Sequence, residues 1–301
     1  MSGDQREPAN PSRACANCGA VLTGDFCAVC GQSRKSIERS FPALAGEALG
    51  DIFQWDGRFL TTYRQLFARP GRIARDYADG KRQSYTPPVR LYLVISLLFF
   101  ALLTGSGVRI VAVDISIDDV GDPNAIVSMF QAPREQPPDV IPLDMQDRII
   151  GLAEEEGVAQ VFQDLILRAM NAPDAVEQQA AAASGQAMIL MVILFALLCA
   201  IFHPRRRLIE HAIHALYFHA AILIPLGVVM VIGIFVPMSM EFAIATAIAS
   251  LLAFLTAIVL FDRGFYASSW VGAVLRAIPL FAGYVVSAAI VAIGLTLFAA
   301  L

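Results

Sequence analysis

The stretch Leu91-Tyr92-Leu93-Val94-Ile95-Ser96-Leu97-Leu98-Phe99-Phe100-Ala101-Leu102-Leu103 carries no charged side chain. With its flanks it covers about 88–108. A helix needs about 20 apolar residues to cross the hydrocarbon of a bilayer, so 89–104 is expected to form a first span. The same pattern recurs downstream: 186–203 contains the run AMILMVILFALLCAIF, and further apolar runs cover 209–236 (with Pro225 inside), 242–261 and 275–301. Charge or Pro/Gly punctuation bounds each run. The expected fold is an all-α membrane protein with five transmembrane helices.

Composition agrees. The chain is 57% hydrophobic and 16% charged, with a mean hydropathy of +0.61, where soluble domains hold about 45–50% apolar residues. The first forty residues hold no apolar run, so no cleavable signal peptide is expected and the first span directs insertion.

Orientation follows from Lys and Arg. Arg58, Arg64, Arg69, Arg72, Arg75, Lys81, Arg82 and Arg90 precede the first span. His203-Pro204-Arg205-Arg206-Arg207 separates the second from the third, and Arg263 and Arg276 lie between the fourth and fifth. The link Pro237-Met238-Ser239-Met240-Glu241 has no basic residue. This pattern puts the N-terminus in the cytoplasm and the C-terminus in the periplasm of a bacterial inner membrane. The segment 105–185 then lies outside; it holds Asp114, Asp118, Asp119, Asp122, Glu154, Glu155 and Glu156. Its first half, rich in Pro, Asp and Gly, is expected to be irregular. Its second half places Ile149, Ile150, Leu152, Val161, Phe162, Leu165 and Ile166 at helical spacing, which predicts short amphipathic helices. So short a segment buries too little core for a catalytic domain.

Residues 1–40 contain Cys15-Ala16-Asn17-Cys18-Gly19 and Cys27-Ala28-Val29-Cys30-Gly31. Two CxxCG knuckles within 15–32 supply four thiolates, which meets the tetrahedral demand of Zn²⁺ and closes its coordination shell, as in structural sites. Two disulfides would need an oxidising compartment, against the orientation just derived. A module this small takes its folding free energy from the metal, and its usual role is structural or protein-binding. Arg34, Lys35 and Arg39 are too few for a nucleic-acid face, so no nucleic-acid partner is expected. Cys199, inside the second span, reads as a small apolar residue.

The juxtamembrane segment 41–88 repeats Leu49, Ile52, Phe53, Leu60, Tyr63, Leu66 and Phe67 at three- and four-residue steps, which predicts an amphipathic helix broken at Pro70-Gly71. With Trp55 and the basic residues Arg69, Arg72, Arg75, Lys81 and Arg82, it suits a collar on anionic headgroups. Packing on the cytoplasmic ends of the spans is the equal alternative.

The series Phe59-Leu60-Thr61-Thr62, Leu66-Phe67-Ala68-Arg69-Pro70-Gly71, Asp76-Tyr77-Ala78-Asp79-Gly80-Lys81-Arg82 and Tyr85-Thr86-Pro87-Pro88 resembles a bacterial membrane-protein family of unknown function. Members have a knuckle pair ending in CGQ (Cys30-Gly31-Gln32 here), an RPG…YxxGKR…Y…P segment and several spans. The resemblance covers about 15–100, and more loosely Glu210-His211 and His219. Tyr217 stands where members often have a second histidine. The resemblance implies architecture and no activity.

All four histidines fall between 203 and 219. His211 and His214 share a helix face, and His219 is turned about 80° from His211. Ionisable residues in a span are costly and are often functional. Glu210, His211, His214 and His219 are therefore candidates for a second metal or proton-transfer site, although near the helix start they also reach headgroups and water. Asp262 and Arg263 read as a cap on the fourth span, with an ion pair to the polar start of the third as an option. No phosphate loop, GxSxG or HExxH occurs, so a non-enzymatic role is favoured. The leading expectation is an anchored interaction protein whose ribbon and collar bind a cytoplasmic or membrane protein. A small transporter and an intramembrane metal enzyme are the alternatives.

Overall fold

The computed structural model describes residues 14–34, 57–117, 123–133, 141–236 and 239–300. The expected helical turns around Leu49, Ile52, Phe53 and Trp55 lie outside them, as do Lys35, Arg39, Asp118, Asp119 and Asp122. In chain order the elements are α1 (Arg58–Ala68), α2 (Arg72–Ala78), α3 (Pro88–Gly105), β1 (Arg109–Ile117), β2 (Pro123–Gln131), α4 (Leu143–Glu155), α5 (Gln160–Asn171), α6 (Pro173–Phe202), α7 (Leu208–Phe235), α8 (Met240–Tyr266) and α9 (Trp270–Ala300). Five of them, α3 and α6 to α9, are long and apolar enough to cross a membrane. The fold class is all-α, with one hairpin as an addition.

That hairpin corrects the expectation for the first half of 105–185. β1 and β2 pair antiparallel, with Arg109 opposite Gln131 and Ile117 opposite Pro123. Alternation of Val113, Ile115 and Ile117 with Asp114 and Ser116 is the strand signal, and the turn-rich Asp118–Asp122 run obscures it. α6 also begins well before its apolar run. Pro173 is suited to a first helical turn and Asp174 complements the helix dipole there. The Ala-rich stretch that follows propagates helix readily.

The chain forms two compact units. The first comprises residues 1–97, 199–223 and 252–280; the second comprises 98–198, 224–251 and 281–301. In the first, Leu66, Ile73, Leu91, Tyr217, Phe218 and Phe265 are fully buried. The break at Pro70-Gly71 is seated on α8. Gly71 has φ +74°, and a Cβ built on Gly264 would collide with the Pro70 carbonyl oxygen. Backbone therefore meets backbone at a distance only glycine permits. Two hydrogen bonds tie α1, the chain before α3, and α7: the Thr86 amide donates to Thr62 Oγ1 at 3.0 Å, and the Tyr217 hydroxyl donates to the Thr86 carbonyl at 2.7 Å.

In the second unit, α5 packs on β1 and Arg109 Nη1 lies 2.9 Å from Glu177 Oε1 on α6. Gln146 and Asn171 exchange side-chain hydrogen bonds between α4 and α5. Phe195 meets Tyr284 edge-on at 5.7 Å.

Candidate metal centre

The two knuckles repeat one local geometry. The Gly19 amide donates to the Cys15 carbonyl and the Gly31 amide to the Cys27 carbonyl, both at 2.8 Å. Isolated bridges Ala14–Val21 and Phe26–Ser33 close each loop. The glycines after the second cysteines have φ +75° and +72°, the left-handed turn that aims preceding amides at sulfur.

All four sulfurs lie within 4.8 Å of one another, and among the described residues this is the group of His, Cys, Asp or Glu that can hold an ion. Cys15 and Cys30 Sγ are 3.6 Å apart, as are Cys18 and Cys27 Sγ. A disulfide needs about 2.05 Å, and all four thiols are free. A tetrahedral cage with metal–sulfur bonds of about 2.3 Å has edges of about 3.8 Å, close to the observed separation. The cage thus fits a thiolate-bound metal ion.

Its electrostatics agree. Amides of Cys30 and Val29 bring the Cys27 thiol down to about 6. For Cys18 the Ala20 amide works downward, but partial desolvation and the sulfurs of Cys27, Cys30 and Cys15 outweigh it and push the thiol up to about 12. Neighbouring thiolates repel, so one ionises at the expense of another unless a cation compensates both.

The ribbon is docked. Gln32, 4% exposed, donates from Nε2 to the Gly80 carbonyl at 2.8 Å. Its Oε1 accepts from the amides of Arg82 (3.1 Å) and Gln83 (3.3 Å). Asn17 Oδ1 accepts from the Ser84 amide (3.2 Å) and hydroxyl (2.9 Å). Gln32 is part of the CGQ ending; no sequence signal singles out Asn17 beyond its place between two ligands.

The basic collar is largely paired within itself. Arg72 and Lys81 approach Asp76 at 3.8 and 3.2 Å, and Arg75 approaches Asp79 at 3.6 Å. Arg82 lies over the Tyr77 ring at 5.7 Å, and the Arg69 amide closes α1 on the Gln65 carbonyl. The Tyr85 hydroxyl donates to Asp76, and burial together with that carboxylate raises the Tyr85 phenol.

His211, His214 and His219 are buried and His203 is partly so, and their partners diverge. His203 Nε2 donates to Asp262 Oδ2 at 2.9 Å, and Arg276 grips the same carboxylate through Nε (3.2 Å) and Nη2 (3.0 Å). The His203 ring stacks on Tyr266 at 3.6 Å. The Tyr266 hydroxyl shares a 2.7 Å hydrogen bond with His211 Nδ1, while His211 Nε2 is buried with no hydrogen-bond partner. His214 lies among Phe261, Phe265 and Tyr266. The His219 Nδ1–H donates to the Ala215 carbonyl at 2.8 Å, and Glu210 accepts from Arg206. Asp262 therefore joins His203 and Arg276 rather than serving as a simple cap. Arg263 lies over the Trp270 ring at 3.6 Å. Cys199 is buried at 1% exposure.

A family described as "Protein of unknown function (DUF3667)" matches the chain over residues 56–100. The match covers α1, α2 and most of α3, including the turn that receives the ribbon. No curated protein and no solved structure matches.

Proposed function

We propose that this chain is a membrane-anchored interaction protein of the bacterial inner membrane, with its N-terminus cytoplasmic and its C-terminus periplasmic. Its ribbon carries Zn²⁺, and ribbon and collar together present a surface to a protein partner at the membrane. The observation that carries this reading is the docked ribbon: Gln32 and Asn17 hold one side, while Val21, Phe26 and Val29 remain 56, 67 and 74% exposed. Apolar side chains so displayed on a small module suit contact with another protein. Leu60 and Phe67 on α1 are likewise exposed, which suits the collar to the headgroup layer. Asp76 and Asp79 pair with Arg72, Arg75 and Lys81, and the five basic residues over 69–82 still outnumber these two carboxylates, which suits the collar to anionic headgroups as well.

The test is crosslinking in membranes with the full chain and with Phe26→Asp plus Val29→Asp, which leave every thiol in place. A protein captured by wild type and lost from the variant is expected; an identical set of captured proteins would refute the reading.

One observation favours a second reading. A fully buried His211 with an unpartnered Nε2 is costly unless a proton or ligand uses it. This would place a transport or metal-dependent chemical site among His203, His211, Tyr266 and Asp262. Metal analysis of a variant with Cys15, Cys18, Cys27 and Cys30 all changed to Ser separates the two: retained metal supports the second site, and loss of all metal removes its metal-dependent form. Ion flux in proteoliposomes that is unchanged by His211→Ala would remove the transport form.

A further inference from the structure

The ribbon's nearest partner is its own chain. The turn Gly80–Ser84 joins α2 to the segment entering α3, and three consecutive amides, those of Arg82, Gln83 and Ser84, donate to Gln32 or Asn17. The Gly80 carbonyl accepts from Gln32, and a Cβ on Gly80 would come within 3.0 Å of Ala16 Cβ. Both clasping side chains are set by the knuckles: Asn17 lies between Cys15 and Cys18, and Gln32 follows Cys30-Gly31. Within 14–34 the buried residues are Cys15, Cys27 and Gln32. No apolar core exists there to hold the loops once the thiols lose a shared ion.

We propose that the metal site operates a clasp: with the metal bound, Asn17 and Gln32 hold the Gly80–Ser84 turn closed, and on metal loss the turn opens. The inference rests on the reading that the four thiols hold a metal ion. Release leaves the amides of Arg82, Gln83 and Ser84 to water. The effect passes along the chain to Thr86, which is bonded to Thr62 and Tyr217, and back to Arg58, which donates to the Gln83 carbonyl at 3.0 Å. The ribbon thereby couples metal availability to the conformation of the segment leading into α3, and to whatever that segment contacts.

The experiment is hydrogen–deuterium exchange of the full chain in detergent, zinc-loaded and chelator-stripped, with zinc counted in both. Alongside runs the zinc-loaded double variant Asn17→Ala, Gln32→Ala, which retains all four ligands. Peptides over 79–87 are expected to exchange on the order of tenfold faster after stripping and in the loaded variant, while α8 peptides over 252–266 do not change. Unchanged exchange at 79–87 after zinc has left would overturn the clasp and leave the metal site standing. A wild-type chain that binds no zinc would overturn both. Fast exchange on stripping but not in the loaded double variant would also overturn the clasp, because the side chains named here would not be its fingers.

Discussion

Gln32 is a side chain that spends three hydrogen bonds on one turn. Its amide nitrogen serves the Gly80 carbonyl and its oxygen serves two backbone amides. Truncating one partner of a buried hydrogen bond costs roughly 1–3 kcal/mol, so Gln32→Ala is expected to lower thermal stability in detergent by about that amount. Gln32→Glu keeps the acceptor but sets a buried carboxylate oxygen against the Gly80 carbonyl, and is expected to lose at least as much. Tyr217 is a parallel case within the apolar interior. Tyr217→Phe leaves the buried Thr86 carbonyl without its donor at near-constant volume, and a loss of roughly 1–3 kcal/mol is expected in denaturant titration; no loss would show that the hydroxyl is dispensable.

Among the elements, the α8 contact with the Pro70-Gly71 break makes the sharpest demand. A methyl at Gly264 meets a carbonyl oxygen, which cannot move without shifting the turn. Gly264→Ala is expected to exceed the roughly 1–3 kcal/mol of ordinary overpacking. Gly294→Ala on α9 faces open space, where replacing a helical glycine gains roughly 0.5–1 kcal/mol. Equal melting temperatures for the two variants would contradict this packing. The hairpin belongs to the same scale. Its alternation of β-branched and polar residues was readable from the chain, but an acidic, glycine-containing connection looks like loop whichever strands it joins.

For the molecule as a whole, metal and topology are the quantities to measure. Each thiol that takes a metal gives up a proton, and the amides of Cys30 and Val29, which bring Cys27 down to about 6, favour that loss. Protons therefore compete with the metal for the four sulfurs: occupancy is expected to fall on acidification, with a midpoint that moves to lower pH as free zinc is raised, and occupancy that does not respond to pH would speak against thiolate binding. The proposed topology, in which all five candidate spans cross the membrane, predicts opposite faces for the two ends of the chain, which reporter fusions there can check. Composition and spacing alone determined the all-α class, the five apolar helices and the thiol quartet, because hydrophobic run length and ligand spacing are local properties of a chain. Tertiary structure decided the rest: that Asn17 and Gln32 clasp a turn 67 and 48 residues away, that Asp262 answers to both His203 and Arg276, and that Tyr217 reaches back 131 residues to Thr86. A hydrogen bond is specified by where two groups lie in space, and no periodicity along the chain encodes a pairing between segments so far apart.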